Sequence, residues 1–155
     1  MKWFTRSWSR GELDDEESHR RLSDYQRHLK SIAADLDNGA EQLASSVNLH
    51  DAQVKVCDLE EGGSLRLRLL AGDLQQGYEW LTLIYEGADL LGANSDELRT
   101  WRLTDRGAEL LYDEIDLSED ARYEHRILVW PQGEFGVRFR SVRVDREPAA
   151  PSDGR

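Results

Sequence analysis

The sequence has little of what disulfide-rich or membrane-spanning proteins need. Its 155 residues include a single cysteine, Cys57, so no intramolecular disulfide can form. Cys57 lies among apolar residues and beside Asp58, which favours a buried, inert thiol over a reactive one. No apolar run approaches the roughly 18 residues of a membrane-spanning helix, and the opening segment lacks the apolar core of a signal peptide. These absences predict a cytoplasmic protein that does not contact membranes.

Basic residues are also scarce in the middle of the chain. Lys and Arg number 20 against 31 Asp and Glu, which gives a net charge of −11. Between residues 35 and 120 there are 20 acidic and 6 basic residues, a balance of −14. Because such a surface repels phosphate, we expect no nucleic-acid binding. The pattern is typical of a strongly solvated surface, and it would also suit a basic protein partner.

Signatures of metal, cofactor and nucleophilic chemistry are missing as well. The four histidines are His19, His28, His50 and His125, and none belongs to a metal-binding motif. There is no phosphate-binding glycine loop between a strand and a helix, and no G-x-S-x-G nucleophile motif. We therefore expect no metal and no cofactor, and we favour a protein that is not an enzyme.

What is present begins with an amphipathic helix at about residues 14–36. Its apolar positions recur every three or four residues at Leu22, Tyr25, Leu29, Ile32, Ala33 and Leu36. Acidic residues crowd its first turn, where the helix dipole favours them, and Asn38-Gly39 is a good stop signal. A shorter helix over 40–45 follows.

Beyond residue 50 the apolar period becomes two, which is the period of a β-strand. The pattern predicts strands at 54–59, 64–70, 78–86, 109–117, 122–130 and 134–144. The run 78–86 is apolar on both faces, so we expect it to be covered on both sides. Near Arg140-Ser141 the inward phase switches, which indicates either a β-bulge or a strand that covers one layer and then another. A capping-box pattern also predicts a short helix at about 95–102.

Together these elements predict an α+β fold in which the N-terminal helix packs on a mostly antiparallel β-meander of about six strands. A chain of this length forms one domain. We place this domain at 1–146, because the Pro- and Ala-rich segment 147–155 is typical of a disordered tail.

The pair His50-Asp51, in the stretch LHDAQV, is the first candidate site. A histidine beside an aspartate could bind a metal or act in catalysis. If both residues lie in a strand, however, their side chains point to opposite faces and do not easily chelate one ion. We favour a structural role, in which Asp51 bonds backbone amides in a turn and His50 lies between helix and sheet.

A second candidate comes from pairing the late strands. A turn at 118–121 would place Glu114 opposite His125, and a turn at 131–134 would place His125 opposite Arg140. The row Glu114, His125 and Arg140 could then hold an anion, orient a partner or serve acid–base chemistry. The alternative is a structural ladder of cross-strand charges.

The opening aromatic residues Trp3, Phe4 and Trp8 allow two interpretations. They can form a strand or hook that packs on the sheet, or an exposed partner site beside Arg6 and Arg10.

Several segments resemble a family of small bacterial cytosolic proteins with no assigned activity. They are MKWFT at 1–5, LHDA at 49–52, LLYDEIDLSEDARYEHRILVWP at 110–131 and GEFGVRF at 133–139. The resemblance implies a helix followed by an antiparallel sheet. Small size, acidity and an α+β pattern are also similar to immunity proteins of bacterial toxin systems, a fold-level analogy.

Three functions compete. The first is a non-enzymatic interaction domain with an acidic surface, of which an inhibitor of a basic toxin is one version. The second is a small enzyme or ligand-binding domain that uses Glu114, His125 and Arg140. The third is a homodimer that pairs through an edge strand, for which 134–144 is the candidate.

Overall fold

The computed structural model describes residues 1–75, 77–92, 107–118, 120, 122–131, 133–150 and 152–153. The helix predicted at about 95–102 lies outside these residues. None of the helices described is long and apolar enough to cross a membrane.

The helical part of the chain follows the predicted pattern. Its elements are α1 (Arg6–Ser9), α2 (Asp15–Ile32), a 3₁₀ turn (Ala33–Asp35) and α3 (Ala40–Ser45). The Asp14 side chain caps α2 by accepting from the Glu17 N–H, and three acidic residues occupy the first turn of α2. The predicted helix at 14–36 and the shorter one at 40–45 are therefore confirmed.

The sheet has eight antiparallel strands, more than the six or so expected. They are β1 (Ala52–Leu59), β2 (Leu65–Asp73), β3 (Gly77–Glu86), β4 (Asp89–Leu91), β5 (Glu109–Leu117), β6 (Tyr123–Trp130), β7 (Glu134–Phe139) and β8 (Ser141–Pro148). Their order is β4-β7-β6-β5-β1-β2-β3-β8. The predicted α+β class is confirmed, and the strand count is corrected upward.

A bend in one long ribbon explains the higher count. β3 leads into β4 after two residues, and β7 leads into β8 after Arg140 alone. The same register holds on both sides of this bend, because Glu86 pairs with Ser141 and Asp89 pairs with Arg138. β4 and β8 lie at the two ends of the strand order, with β7 next to β4 and β3 next to β8. The sheet therefore curls so that its two ends meet at the bend. The predicted phase switch at Arg140-Ser141 is this bend.

The core lies inside the curl. Alternating residues of the strands supply its fully buried side chains, among them Leu65, Leu67, Leu69, Leu81, Leu83, Ile115, Ile127, Phe135, Val137 and Phe139. Each fully buried leucine contributes about 1.5–3 kcal/mol relative to an exposed one. α3 adds Ala40 and Leu43 to the same cluster.

The outward face of β3 is covered by side chains rather than by another layer of helices. Trp80 is half-buried beneath the Arg68 guanidinium, 4.8 Å from its ring centroid, and its indole N–H donates to Asp153 at 3.1 Å. β8 continues through Pro148, which pairs with Glu79. Ordered sheet therefore extends two residues beyond the boundary placed at 146, because these residues complete the ladder along β3.

A substitution at Gly39 tests how closely the helical layer fits the sheet. Its φ is +93°, and a Cβ atom there would lie 1.8 Å from the Val142 carbonyl oxygen. We expect Gly39→Ala to lower the free energy of unfolding by roughly 2 kcal/mol or more, because it adds left-handed strain to a backbone clash. Urea denaturation measures this. Gly62→Ala is the control, since nothing lies within 4 Å of its Cβ position. Equal stability of both variants would contradict the fit described.

Candidate functional site

The N-terminal hook, residues 1–10, packs on the sheet. The Phe4 ring is buried and lies 4.9 Å from Tyr25 and 5.7 Å from Tyr112, measured between ring centroids. Trp8 makes an edge contact with Tyr112 at 4.8 Å. The Arg6 guanidinium donates to the Val129 carbonyl. Of the two predictions for the opening aromatic residues, packing on the sheet is confirmed.

Glu114 is the polar residue that holds the hook in place. Its side chain is fully buried, and its carboxylate accepts three backbone hydrogen bonds from the hook. The donors are the N–H groups of Lys2 at 2.8 Å, Trp3 at 2.7 Å and Phe4 at 2.7 Å. Hydrogen bonds to an ionised acceptor are the strong ones, and a buried carboxylate requires them. Glu114 is therefore occupied within the fold.

Asp116 connects four elements through its buried carboxylate. It accepts from Lys2 Nζ at 2.7 Å, His28 Nε2 at 2.8 Å and Arg126 Nη1 at 3.2 Å. The Leu117 N–H is a fourth donor at 2.9 Å. Burial by itself raises the pKa of Asp116, but the hydrogen bonds from Lys2 and Arg126 outweigh it, so the pKa lies below its ordinary value. The carboxylate joins the hook, α2, β5 and β6.

The predicted row Glu114, His125 and Arg140 does not form. Glu114 faces Arg126 across the strands, and His125 faces Ile115. Leu117 pairs with Tyr123 at the turn, so an odd number of residues connects β5 and β6 instead of the even number assumed. The register around Glu114 and His125 therefore differs by one residue from the prediction. Since side chains alternate, that single step carries His125 from the open face into the core.

The second predicted register is wrong for a related reason. Pairing between β6 and β7 ends at Leu128 and Glu134, so the turn is longer than the four residues assumed. His125 consequently faces Val137. Arg140 lies at the ribbon bend, where its side chain would contact a Cβ atom at Gly87.

His125 belongs to a buried polar chain instead. Its Nε2 lies 3.1 Å from Asp113 Oδ2, and its Nδ1 lies 2.8 Å from the Tyr85 hydroxyl. A carboxylate can only accept, so Nε2–H donates to Asp113, and Nδ1 shares a hydrogen bond with the Tyr85 hydroxyl. Burial, and next the charge of Asp113, raise the pKa of Tyr85 well above its ordinary value, so the hydroxyl keeps its proton.

Solvent accessibility determines whether the hydrogen-bonded residues Tyr85, His125 and Asp113 could contact a substrate. Tyr85 and His125 are fully buried, and only the Asp113 side chain, 23% exposed, reaches solvent. Burial raises the pKa of the nearby Cys57 thiol to about 12, which leaves it protonated and unreactive. A substrate cannot contact His125 here, so the chain is a satisfied core network. Across the described residues, every buried side-chain polar atom has a hydrogen-bond partner.

His50 and Asp51 lie in the turn before β1, not in a strand. Their side chains do not diverge, since His50 Nε2 lies 3.6 Å from Asp51 Oδ2. Nor does His50 lie between helix and sheet: it is exposed, stacks 5.0 Å from Tyr112, and bonds the Leu111 carbonyl through Nδ1. Asp51 adopts a left-handed φ of +60°, which the turn requires. The predicted turn thus exists, and β1 separates from β5 just beyond it.

Two surface clefts border Arg126. One, of about 440 Å³, lies beside Asp116 and includes Lys2, Glu124 and Arg138 in its walls. The other, also about 440 Å³, lies over Gly136.

The buried Glu124 carboxylate is matched by Arg126 and Arg138, as Asp116 is by Lys2 and Arg126. Within the part of the chain that the structure describes, no three His, Cys, Asp or Glu side chains form a metal-binding group.

Comparison with known proteins gives no indication of function, so function is argued from the positions and contacts of the residues described above. The sequence matches no protein-family model, and neither a curated protein nor a solved structure matches it significantly.

Sequence reasoning missed the partners of Glu114 and His125 for different reasons. The hook donates backbone N–H groups, which every residue carries, so no side-chain pattern marks them. A usable signal did exist at Asp116. Glu114 and Asp116 are two residues apart and so lie on the same face of β5. Both carboxylates need hydrogen-bond donors, which the first helix and the N-terminus could supply.

Glu114→Gln tests the attachment of the hook. The amide keeps the shape, but its NH₂ group cannot accept, so at least one buried backbone N–H loses its acceptor. We expect the free energy of unfolding to fall by about 2–3 kcal/mol. Urea denaturation followed by tryptophan fluorescence measures the loss, with Trp3 and Trp8 among the five tryptophans that contribute to the signal. Glu61→Gln, at an exposed position, is the matched control and should change little. Equal stability of the two variants would rule out the anchoring role.

Asp116 predicts a pH dependence. Its pKa is lower in the folded protein than in the unfolded chain, so its contribution to stability is full above the ordinary Asp value of about 3.9 and is lost as pH falls through the lowered pKa. Asp116→Asn should therefore reduce stability at pH 7, and its deficit should shrink below about pH 4. Urea melts across pH measure this. The exposed Asp35→Asn should show no such deficit, and a deficit for Asp116→Asn that is constant with pH contradicts the assignment.

Proposed function

We propose that this protein is a non-enzymatic, cytoplasmic protein-interaction domain whose acidic surface binds a basic protein partner. An immunity-like inhibitor of a basic toxin is the concrete version. The resemblance to small bacterial cytosolic proteins forms part of this proposal. So does the expectation that nucleic acids and membranes are not bound.

The observation that carries the proposal is an acidic tip at one end of the sheet, which comprises Asp58, Glu60, Glu61 and Glu86. All four residues are exposed, and none of them makes an ion pair within the described ranges. Glu86 accepts a hydrogen bond from the Ser64 hydroxyl at 2.7 Å. The tip therefore presents exposed carboxylates that no ion pair holds, with Arg66 as the cross-strand neighbour of Asp58.

The tip is held rigidly enough to serve as a surface. The β1–β2 turn is closed by a hydrogen bond from the Glu60 N–H to the Ser64 carbonyl at 2.8 Å. The Ala88 N–H donates to the Gly63 carbonyl at 2.7 Å, which ties this turn to the bend between β3 and β4. Leu59 adds a partly exposed apolar residue beside the carboxylates. Apolar contact surrounded by charge is typical of interfaces in which charge steers the encounter.

The contrast with the other acidic residues supports this location. Asp116 and Glu124 are buried and matched by Lys and Arg side chains, so they contribute little field outside the molecule. The acidic tip keeps its charge in solvent, where a cationic partner is attracted over about 8 Å at physiological salt.

The second function, an enzyme or ligand-binding domain built on Glu114, His125 and Arg140, loses its support. Glu114 and His125 are buried on different faces of the sheet, and Arg140 lies at the ribbon bend. The three side chains do not converge beside a cleft.

A neutralised tip tests the proposal. The triple variant D58N/E60Q/E61Q removes three charges, and D15N/E16Q/D35N removes three exposed charges from the helical layer as a matched control. We expect the wild type, immobilised at low salt, to retain a basic protein from extracts of the producing cells. This protein should be released at about 1 M salt, where the screening length falls to about 3 Å.

The triple tip variant should lose that protein, while the control variant should retain it. Circular dichroism confirms that both variants fold. Failure of the wild type to retain any basic protein would contradict the proposal, as would equal retention by the two variants.

A further inference from the structure

The turn before β1 brings together two side chains that a strand would separate. In a strand, His50 and Asp51 would point to opposite faces, which argued against their binding one ion. In the turn, His50 Nε2 lies 3.6 Å from Asp51 Oδ2, and the two side chains are 47% and 56% exposed. The geometric objection to a shared ion therefore does not apply, and both side chains reach solvent.

A hydrogen bond determines which ring nitrogen of His50 is available to an ion. Nδ1 bonds the Leu111 carbonyl, which can only accept, so Nδ1 carries a hydrogen. In the neutral ring this leaves the lone pair at Nε2, which is the atom beside Asp51. A metal-binding histidine almost always donates its other ring N–H to a carbonyl, a carboxylate or water. His50 thus has the tautomer and the supporting contact of a metal ligand.

Contacts with the sheet hold both ligand atoms in place. The His50 ring lies 5.0 Å from the Tyr112 ring, measured between centroids, and the His50 backbone N–H donates to Asn48 Oδ1 at 3.1 Å. The Asp51 N–H donates to the Leu110 carbonyl at 2.8 Å. Because the turn is already fixed to β5, little conformational freedom is lost when an ion binds.

The spacing of the two atoms suits an ion of the zinc type. Bonds of about 2.0–2.2 Å place two ligand atoms of a tetrahedral site about 3.4 Å apart. The separation of 3.6 Å between His50 Nε2 and Asp51 Oδ2 is close to that value. Imidazole with carboxylate also favours Zn²⁺, Ni²⁺ or Cu²⁺ over Mg²⁺, because Mg²⁺ prefers oxygen ligands alone.

We propose that His50 Nε2 and Asp51 Oδ2 bind a divalent transition-metal ion of this class, with water in its remaining positions. Asp51 takes part in other interactions of the chain, but a carboxylate has about four lone-pair sites, so Oδ2 can bind an ion while they persist. Structural zinc sites have four protein ligands. A site with two should therefore be weak, with a dissociation constant on the order of 100 μM.

His19 provides a comparison within the same chain. It is exposed, and its Nδ1 bonds the Asp15 carbonyl at 2.7 Å, so its Nε2 is available in the same way. Among the described residues, however, no carboxylate forms an ion pair with His19. His28 and His125 already bond carboxylates within the fold. The two exposed histidines therefore differ in the neighbouring carboxylate, which His50 has and His19 lacks.

Isothermal titration calorimetry of the full chain with zinc chloride, up to about 1 mM, tests the proposal. His50→Asn and Asp51→Asn should each weaken zinc binding by at least about 10-fold, since each removes one of two ligands. An Asn side chain at position 50 can still donate to Leu111, and Asn at position 51 tolerates the left-handed φ. His19→Asn is the matched control and should bind zinc as the wild type does. Circular dichroism verifies that all variants fold.

Two further measurements locate the ion. The tip variant D58N/E60Q/E61Q should bind zinc normally, because the acidic tip follows β1 whereas His50 and Asp51 precede it. This variant separates the site from the proposed function. A roughly tenfold excess of Mg²⁺ over Zn²⁺ should not displace the zinc.

Four outcomes would overturn the proposal. The first is a wild type that binds no zinc up to about 1 mM. The second is an Asp51→Asn variant that binds zinc as tightly as the wild type, and the third is an equal loss in His50→Asn and His19→Asn. The fourth is a loss of zinc binding in the tip variant, which would place the ion at the acidic tip instead.

Discussion

The buried Glu114 carboxylate is the constraint on which the arrangement of helix, hook and sheet depends. An anion without water must be surrounded by donors, and here the backbone of three consecutive hook residues provides them. If the hook left, the Glu114 carboxylate would lose these three donors, and three N–H groups of the hook would lose their acceptor. Its Trp3 ring in turn contacts Tyr25 and His28 of α2, at 5.1 and 4.7 Å. One carboxylate thereby fixes the hook, and the hook fixes the helix.

Side chains outside the sheet also provide hydrogen-bond partners for backbone groups along β5. β1 and β5 pair at only two positions, so the rest of the β5 edge must find other partners. The Tyr25 hydroxyl accepts from the Ile115 N–H at 2.8 Å, and His50 bonds the Leu111 carbonyl. His50, first considered as a catalytic or metal-binding residue, satisfies an edge of the sheet. Its position in the turn follows from that need rather than from any chemistry with Asp51.

Sequence reasoning reached the fold class and the helices because those depend on periodicity. The spacing of Leu22, Tyr25 and Leu29 is sufficient to predict α2, and alternation in 64–70 is sufficient to predict β2. Register depends on bulges and turn lengths, which the pattern does not reveal. An odd rather than an even number of residues between β5 and β6 changed the predicted neighbours of Glu114 and His125, and with them the whole candidate site. In the sequence, the bend between β7 and β8 was visible only as a change in the alternation of apolar residues near Arg140-Ser141.

The acidic residues of the sheet fall into two groups, one buried and one exposed. Acidic residues on the covered face of β5 and β6 are enclosed with Lys and Arg, so they stabilise the hook rather than attract partners. Within the described residues the carboxylates of the acidic tip form no ion pair, although Arg66 faces Asp58 across β1 and β2. The two hairpin ends consequently differ: the exposed carboxylates at the β1–β2 end make no ion pair within the described residues, whereas at the β2–β3 end Glu79 and Glu147 pair with Arg146 and Arg68.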